Sequence, residues 1–314
     1  MKALVKYEDG PDKLEIRDLP EPVCGPGDVK VEVKACGICG TDIHILHDLY
    51  PWPKMVPLGH EYSGIVVEAG KGVTRFRVGD RVTTCGTGGF SRCVVKKERE
   101  RMSKLPDNLS FEEGALFEPI SVCTRAVFEN SGIRPLDLAL VSGPGSIGLG
   151  ILQAVKAAGG TAIVSGTAAD DKRLKAAREL GADYAVNIGQ ESLEQLVKKI
   201  SGGKGLDVVL ECSGAAAAVN AGIGLLKRGG SLLQVGLSGR PISVDMDLLV
   251  NRCIRLVGAF GFGDAEWEKS IELARIGKYN LKKMVSHTVP LSEWRRAFKL
   301  CEDRQGLKVL IVPD

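Results

Sequence analysis

The stretch CGICGTDIHILHDLYPWPKMVPLGHEYSG, Cys36 to Gly64, decides how the rest of the chain is read. It sets a thiol, Cys39, ahead of an imidazole and a carboxylate side by side, His60 and Glu61. A hydroxyl (Thr41), a carboxylate (Asp42) and a second imidazole (His44) follow the thiol closely. One soft sulfur, one nitrogen and one or more oxygens suit a zinc ion that keeps a position open for chemistry, whereas a closed structural site would show paired cysteines. Gly37 and Gly40 bracket Cys39, and Gly59 precedes His60, where glycine suits tight turns that bring backbone close to an ion. Each residue alone has a plainer reading: a small buried cysteine, a core histidine, a surface glutamate. The pattern by itself leaves both a catalytic metal site and a core cluster open.

The chain's 314 residues are many for one hydrophobic core, so two domains are expected. With 42 basic and 39 acidic residues, the net charge of +3 is too balanced to suggest nucleic acid or a membrane surface as partner. No apolar run has the length of a membrane span, and MKALVKYEDG reads as a first strand rather than a secretory signal. Nine cysteines, odd in number and scattered, point to the reducing cytoplasm.

Up to about residue 110 the chain shows β-branched alternation broken by Gly and Pro, as in VKVEVKAC, SGIVVEAG, DRVTT and SRCVVKK. That pattern predicts an irregular, mainly antiparallel β domain holding the Cys39 and His60 loops. Beyond Phe111 the texture changes. A helical stretch leads to DLALVSG, a buried strand, and then helices and short apolar strands alternate through SLLQVG. Such alternation implies a parallel sheet covered by helices, so the fold class is α/β. The last segment, KVLIVPD, reads as a strand that returns to the first domain.

Gly143, Gly145 and Gly148 fit G-x-G-x-x-G between a predicted strand and a predicted helix. The first glycine permits the turn, the second lets backbone approach a pyrophosphate, and the third allows close packing. The anion would rest on free N–H groups of the helix start, around Ser146 and Ile147. At the end of the next strand, where an acid would bond a ribose 2′-hydroxyl, the chain has Ser165, Gly166 and Thr167. Small polar residues leave room for a 2′-phosphate, which Lys172 or Arg173 could reach. Alternatively both are solvated helix residues, and Asp170 or Asp171 swings in for NAD. The missing acid favours NADP over NAD.

Taken together, CGICGTDIH, GHEYSGIVVEAG, VGDRV, GGF, LFEPIS and GPGSIG, in this order, resemble the zinc-dependent medium-chain dehydrogenase/reductase family over essentially the whole chain. The resemblance implies a GroES-like, mainly β catalytic domain (1–119 and 262–314) and a Rossmann domain with a doubly wound parallel sheet (120–261). It implies that Cys39 and His60 ligate zinc, with Glu61 binding directly or moving in and out. Glu118 stands where alcohol dehydrogenases have a second cysteine and polyol dehydrogenases a glutamate; its plainer reading is a cap before Pro119. Asp42 matches the carboxylate that orients the His60 ring. Thr41 matches a hydroxyl that hands the substrate's proton through the ribose to His44 and so to solvent. Zinc would polarise the substrate oxygen while hydride passes to or from the nicotinamide. His47 and His287 match no motif and read as ordinary residues.

The chain also departs from the family. The lobe that usually carries a structural zinc on four cysteines is missing, which leaves Cys85 and Cys93 without a C-x-x-C. Ile45 and Gly261 stand where sorbitol dehydrogenases usually have an aromatic residue and an arginine, which argues against sorbitol itself. The expectation is therefore a zinc- and NAD(P)-dependent oxidoreductase of a secondary alcohol, polyol or sugar-derived alcohol or ketone, assembled as a homo-dimer or homo-tetramer. The alternatives are an L-threonine 3-dehydrogenase-like activity and a metal-free nucleotide-binding protein of the same fold.

Overall fold

The computed structural model describes residues 1–314. Seven strands come first: β1 (Lys2–Lys6), β2 (Leu14–Asp18), β3 (Asp28–Gly37), β4 (Glu61–Ala69), β5 (Arg81–Cys85), β6 (Cys93–Lys97) and β7 (Met102–Lys104). A short helix, α1 (Gly40–Leu46), lies between β3 and β4, and α2 (Phe111–Gly114) and α3 (Phe117–Arg125) follow β7. Strands β8 (Leu138–Ser142), β9 (Thr161–Gly166), β10 (Tyr184–Asn187), β11 (Leu206–Glu211), β12 (Leu226–Gln234) and β13 (Arg255–Gly258) then alternate with helices. These are α4 (Ser146–Ala157), α5 (Asp171–Glu179), α6 (Leu193–Ile200), α7 (Ala216–Leu225) and α8 (Met246–Arg252). The chain closes with α9 (Asp264–Arg275), β14 (Val285–Pro290), α10 (Trp294–Glu302) and β15 (Lys308–Val312).

These elements form two compact units, Met1–Glu118 with Val285–Asp314, and Pro119–Met284. The chain leaves the first unit within a residue of the expected point, but returns at 285 and not at 262. The reason lies in α9 and the segment behind it. Trp267 and Ile271 bury the apolar stripe of α9. Ser270 Oγ meets Ser121 Oγ at 2.9 Å, and Tyr279 OH meets Thr124 Oγ1 at 2.9 Å. These buried polar groups find their partners on α3, so the segment belongs to the second unit.

In the first unit the strand order is β14-β15-β3-β4-β5-β7, with β6 also on β3. Every pair is antiparallel except β14 with β15. The alternation in DVKVEVKACG buries Val29, Val31, Val33 and Ala35 at its apolar positions, as period 2 requires. Register sets Gly37 opposite Glu61, and Glu61 opposite Cys85. Between Cys85 and Cys93 there is only a short turn, with Gly86 at φ 107° and Gly88 at φ 111°. No second cluster of metal-ligating side chains exists in the chain.

The second unit holds a six-stranded parallel sheet ordered β10-β9-β8-β11-β12-β13. This is the Rossmann order, in which ligands bind at the carboxyl ends of the strands beside β8, where the order reverses. Ala139, Val141, Ile163, Val164, Val209 and Leu210 are buried, which is why these strands read as apolar runs. No helix is long and apolar enough to cross a membrane.

Candidate active site

Cys39 is the N-cap of α1, with extended backbone at φ −102° and ψ 159°. Its amide donates to Asp42 Oδ2 at 2.9 Å, so an acid inside the first turn fixes the backbone that carries the thiol. Thr41 Oγ1 lies 3.7 Å from Cys39 Sγ, and His44, further along the helix, is exposed. His60 and Glu61 enter β4 through Gly59, whose φ of +81° and tight surroundings demand glycine. A Cβ there would stand 2.7 Å from the Phe90 ring and 2.8 Å from Cys36 Sγ. The donor atoms of Cys39, His60 and Glu61 all lie within 4.8 Å of one another.

The charges around this cluster do not balance. Glu61 is wholly buried, and its Oε2 forms an ion pair with Lys308 Nζ, itself buried at the start of β15. Lys308 also donates to Ile38 O at 2.9 Å. Glu61 Oε1 and Asp42 Oδ1 are buried and meet no donor. Glu118, in the first turn of α3, stands outside the 4.8 Å group; burial and then the Glu61 charge push its carboxyl up to about 7. Burial likewise pushes Asp42 up to about 6. For His60, burial alone would lower the pKa; the Cys39 hydrogen bond and the Glu61 and Asp42 charges outweigh it and raise the ring to about 10. Burial opposes the Lys308 charge too, and is overcome chiefly by Glu61 and Cys39.

Four groups able to carry negative charge thus share one buried lysine and one imidazole. Orphaned buried oxygens are rare and costly, and a divalent cation answers both the imbalance and the missing donors. One sulfur, one nitrogen and carboxylate oxygen form a set that suits zinc with an open position. The residues present fit the metal that the sequence pattern implies.

Three sequence-level readings change. Gly37 is no turn glycine: it sits in β3, where a Cβ would lie 2.2 Å from Glu61 Oε2 and 2.7 Å from Lys308 Cε. Gly40 has nothing within 4 Å of a built Cβ and lies inside α1, so neither space nor turn demands it. Asp42 makes no hydrogen bond to the His60 ring, because one of its oxygens is used by the Cys39 amide and the other meets no donor; only its charge acts on the ring. Lys308 is a further residue of the site. Its only sequence signal is a lysine opening an otherwise apolar strand, with its partner Glu61 far away in the chain.

The glycines after β8 differ in what surrounds them. Gly143 has φ +96° and packs on Ser213, 3.0 Å from a built Cβ. Gly145, the N-cap of α4, has nothing within 4 Å of a built Cβ, which leaves its face open. A Cβ on Gly148 would fall 2.0 Å from Gly143 O, so only glycine lets helix and turn pack. The bond from Leu149 N to Gly145 O, 2.8 Å, is the first of the helix. The amides of Ser146, Ile147 and Gly148 precede it, at the helix end whose dipole favours anions.

At the end of β9, Ser165 is buried in the strand interior, while Thr167 is exposed. Both candidate acids are engaged. Asp170 Oδ2 accepts from Thr167 N at 3.1 Å and Thr167 Oγ1 at 2.9 Å, and its Oδ1 is 3.6 Å from Arg173. Asp171 Oδ1 accepts from Asn187 Nδ2 at 2.7 Å. Gly166 is hemmed in, with Asp170 Cβ and Pro144 Cγ each 3.0 Å from a built Cβ. Lys172 is exposed.

Comparison with known proteins agrees with this geometry. Residues 25–131 match the alcohol dehydrogenase GroES-like domain and residues 146–275 the zinc-binding dehydrogenase domain. A sorbitol dehydrogenase of Halalkalibacterium halodurans is 37% identical, with 100% of this chain and 99% of that protein covered. That alignment runs over 342 positions, so the relative carries residues that this chain lacks. A zinc-binding dehydrogenase from Sinorhizobium meliloti, solved with NADP, superposes with a TM-score of 0.89 at 29% identity, covering 99% of both chains. An Escherichia coli alcohol dehydrogenase complexed with NADH superposes with a TM-score of 0.87 at 25% identity, also covering 99% of both. The chain belongs to the zinc-type medium-chain alcohol and polyol dehydrogenases, a family of oxidoreductases.

Proposed function

We propose that Cys39, His60 and Glu61 hold one zinc ion, with Glu118 as a further carboxylate in reach, for oxidation of a secondary alcohol, polyol or sugar-derived alcohol, or the reverse reduction. The observation that supports this reading most is the buried donor set within 4.8 Å, with Glu61 Oε1 lacking a hydrogen-bond donor and 4.0 Å from His60 Nε2. A bound zinc ion supplies Lewis acidity toward the substrate oxygen, and a bound nicotinamide takes or gives the hydride. The chain's own residues do the rest. Lys308 holds Glu61 in place, Asp42 fixes the Cys39 backbone, and the Thr41 hydroxyl would accept the proton that the substrate hydroxyl loses while giving up its own toward His44. His44 passes that proton to solvent. The Gly143–Gly148 turn and the amides of 146–148 seat the pyrophosphate.

For the cofactor the lean is toward NADP. No free acid waits at the end of β9, and Gly166 has no room for one. Arg173 and Lys172 would meet a 2′-phosphate, with Arg173 exchanging Asp170 for it. Nine cysteines, none in a disulfide, suit a reducing cytoplasm. The open edge of β13, with Leu256 48% and Phe260 82% exposed, is the surface through which we expect two copies to associate.

The test is a panel of secondary alcohols, polyols, sugar phosphates and L-threonine, run with NAD and NADP separately on wild type and Cys39→Ser. The reading stands if wild type alone carries zinc and turns over an alcohol or polyol. Equal zinc in both proteins sinks the metal assignment, and turnover of threonine alone sinks the substrate class. Turnover with NAD alone overturns the NADP lean.

A further inference from the structure

We propose that the Lys6–Asp48 ion pair is a clamp that sets the tilt of α1, which makes Lys6 and Asp48 positioning residues for Cys39, Thr41 and His44. The consequence for chemistry rests on the reading of α1 as part of the metal and proton-relay site.

Helix α1 has seven residues, too few to hold its own direction in water. Its first turn is fixed by Asp42 on the Cys39 amide. Its far end stops at His47, and Asp48 follows in the left-handed region at φ +59°. Lys6 is the last residue of β1 and is 1% exposed. Its Nζ lies 3.4 Å from Ile45 O and pairs with Asp48 Oδ1. One buried ammonium therefore touches both the carbonyl end of the helix, where the dipole is negative, and the residue that terminates it.

The other end of the clamp is firm. Leu4 N donates to Phe90 O at 2.9 Å, Leu58 N to Leu4 O at 3.0 Å, and Met55 N to Lys6 O at 2.9 Å. Leu58 and Phe90 flank Gly59, the glycine that admits His60. Lys6 thus links the backbone that delivers the imidazole to the helix that delivers the thiol. Stability gives little reason for an ammonium here, since well-packed apolar replacements of buried ion pairs are often neutral or stabilising. Geometry gives one: an ion pair, with Asp48 also held by the Gly10 backbone, fixes direction where an apolar contact would slide. The neighbouring pair, Lys54 with Asp9 at 2.8 Å, is exposed on both sides and serves as a control.

The test uses the full chain with Asp48→Asn, which removes the charge, keeps a residue that tolerates the left-handed backbone at φ +59°, and opens no cavity at a side chain 40% exposed. Hydrogen exchange is followed at the amides of His47 and Leu49, which bond to Ile43 O at 3.1 Å and His44 O at 2.8 Å. It is measured without metal and with zinc, beside the visible absorption band of the cobalt-loaded protein. The clamp predicts exchange at these two amides faster by about tenfold or more, with protection elsewhere in the unit unchanged. It also predicts a displaced cobalt band, partial recovery in Lys6→Arg relative to Lys6→Met, and wild-type behaviour in Asp9→Ala. Unchanged exchange at these two amides overturns the proposal, and so does acceleration spread evenly over the unit, which marks a general loss of stability. A wild-type chain that takes up no cobalt overturns the metal reading instead, while the metal-free exchange data still decide the clamp.

Discussion

Replacing Gly37 by alanine puts a methyl group where the Glu61 carboxylate now lies. The built Cβ falls 2.2 Å from Glu61 Oε2 and 2.7 Å from Lys308 Cε, against ordinary contacts of about 3.5 Å. The carboxylate must therefore move by roughly 1 Å or more, in a place where both it and Lys308 are buried. Gly37 is not in the left-handed region, so alanine adds no backbone strain, and crowding alone is at issue. Overpacking of this kind costs about 1–3 kcal/mol. Displacing a group that orients or supplies a metal ligand costs about 10- to 100-fold in metal affinity. Thermal unfolding of the metal-free protein and zinc competition against a chromophoric chelator measure the two effects. Glu61→Asp, one methylene shorter, relieves the crowding, so Gly37→Ala and Glu61→Asp together should cost less than their separate losses combined. Wild-type zinc affinity in Gly37→Ala, or strict additivity in the double variant, refutes the packing argument.

Lys308→Met removes the one lysine paired with Glu61 and leaves a buried carboxylate without its partner, at a cost of about 3–5 kcal/mol to the metal-free protein. Denaturant unfolding with and without zinc checks this, and zinc should recover part of the loss. In the metal-free protein, Asp42 and Glu118 are held above their usual values of 3.8 and 4.5, at about 6 and about 7. Between those limits the folded state binds more protons than the unfolded one. Their ionisation therefore lowers stability as pH rises through that window. His60, raised from 6.5 to about 10, extends the decline upward, because its folded-state stabilisation is lost as pH climbs toward that value. Zinc binding displaces these protons, so zinc affinity should rise with pH over the same range; titration calorimetry in buffers of different ionisation heat detects the released protons. Arg173→Ala should raise the KM for NADP by about 10- to 100-fold and leave that for NAD nearly unchanged. Equal effects on both cofactors count against a 2′-phosphate role.

The two-unit plan and the residues gathered at both candidate sites are legible because local signals carry them. Gly143 and Gly148 are constrained by contacts within a few residues or across adjacent strands, so their spacing announces the turn. Cys39, His60 and Glu61 lie on either side of one short excursion between β3 and β4, and the register of those strands closes them into a cluster. What stayed hidden depends on distant partners. The Glu61–Lys308 pair joins the last strand of the chain to its first third, and nothing near Lys308 hints at a carboxylate. Gly37 looked like a turn residue because the side chains that crowd it come from β4 and β15. Helix α1 escaped notice because GTDIHIL has little helix propensity; Asp42 at its start and buried Ile45 and Leu46 make it. The amphipathic stripe of α9 announces a helix but not its partner, which is α3 of the second unit, so the return to the first unit comes at 285 rather than 262.

The central claim, one divalent ion held by sulfur, imidazole and carboxylate, is tested most directly by metal content together with the sulfur-to-cobalt charge-transfer band. The account predicts one equivalent of metal per chain, with a thiolate band that disappears in Cys39→Ser and persists in Cys85→Ser. Metal bound without a sulfur band, or a band that survives the loss of Cys39, contradicts it.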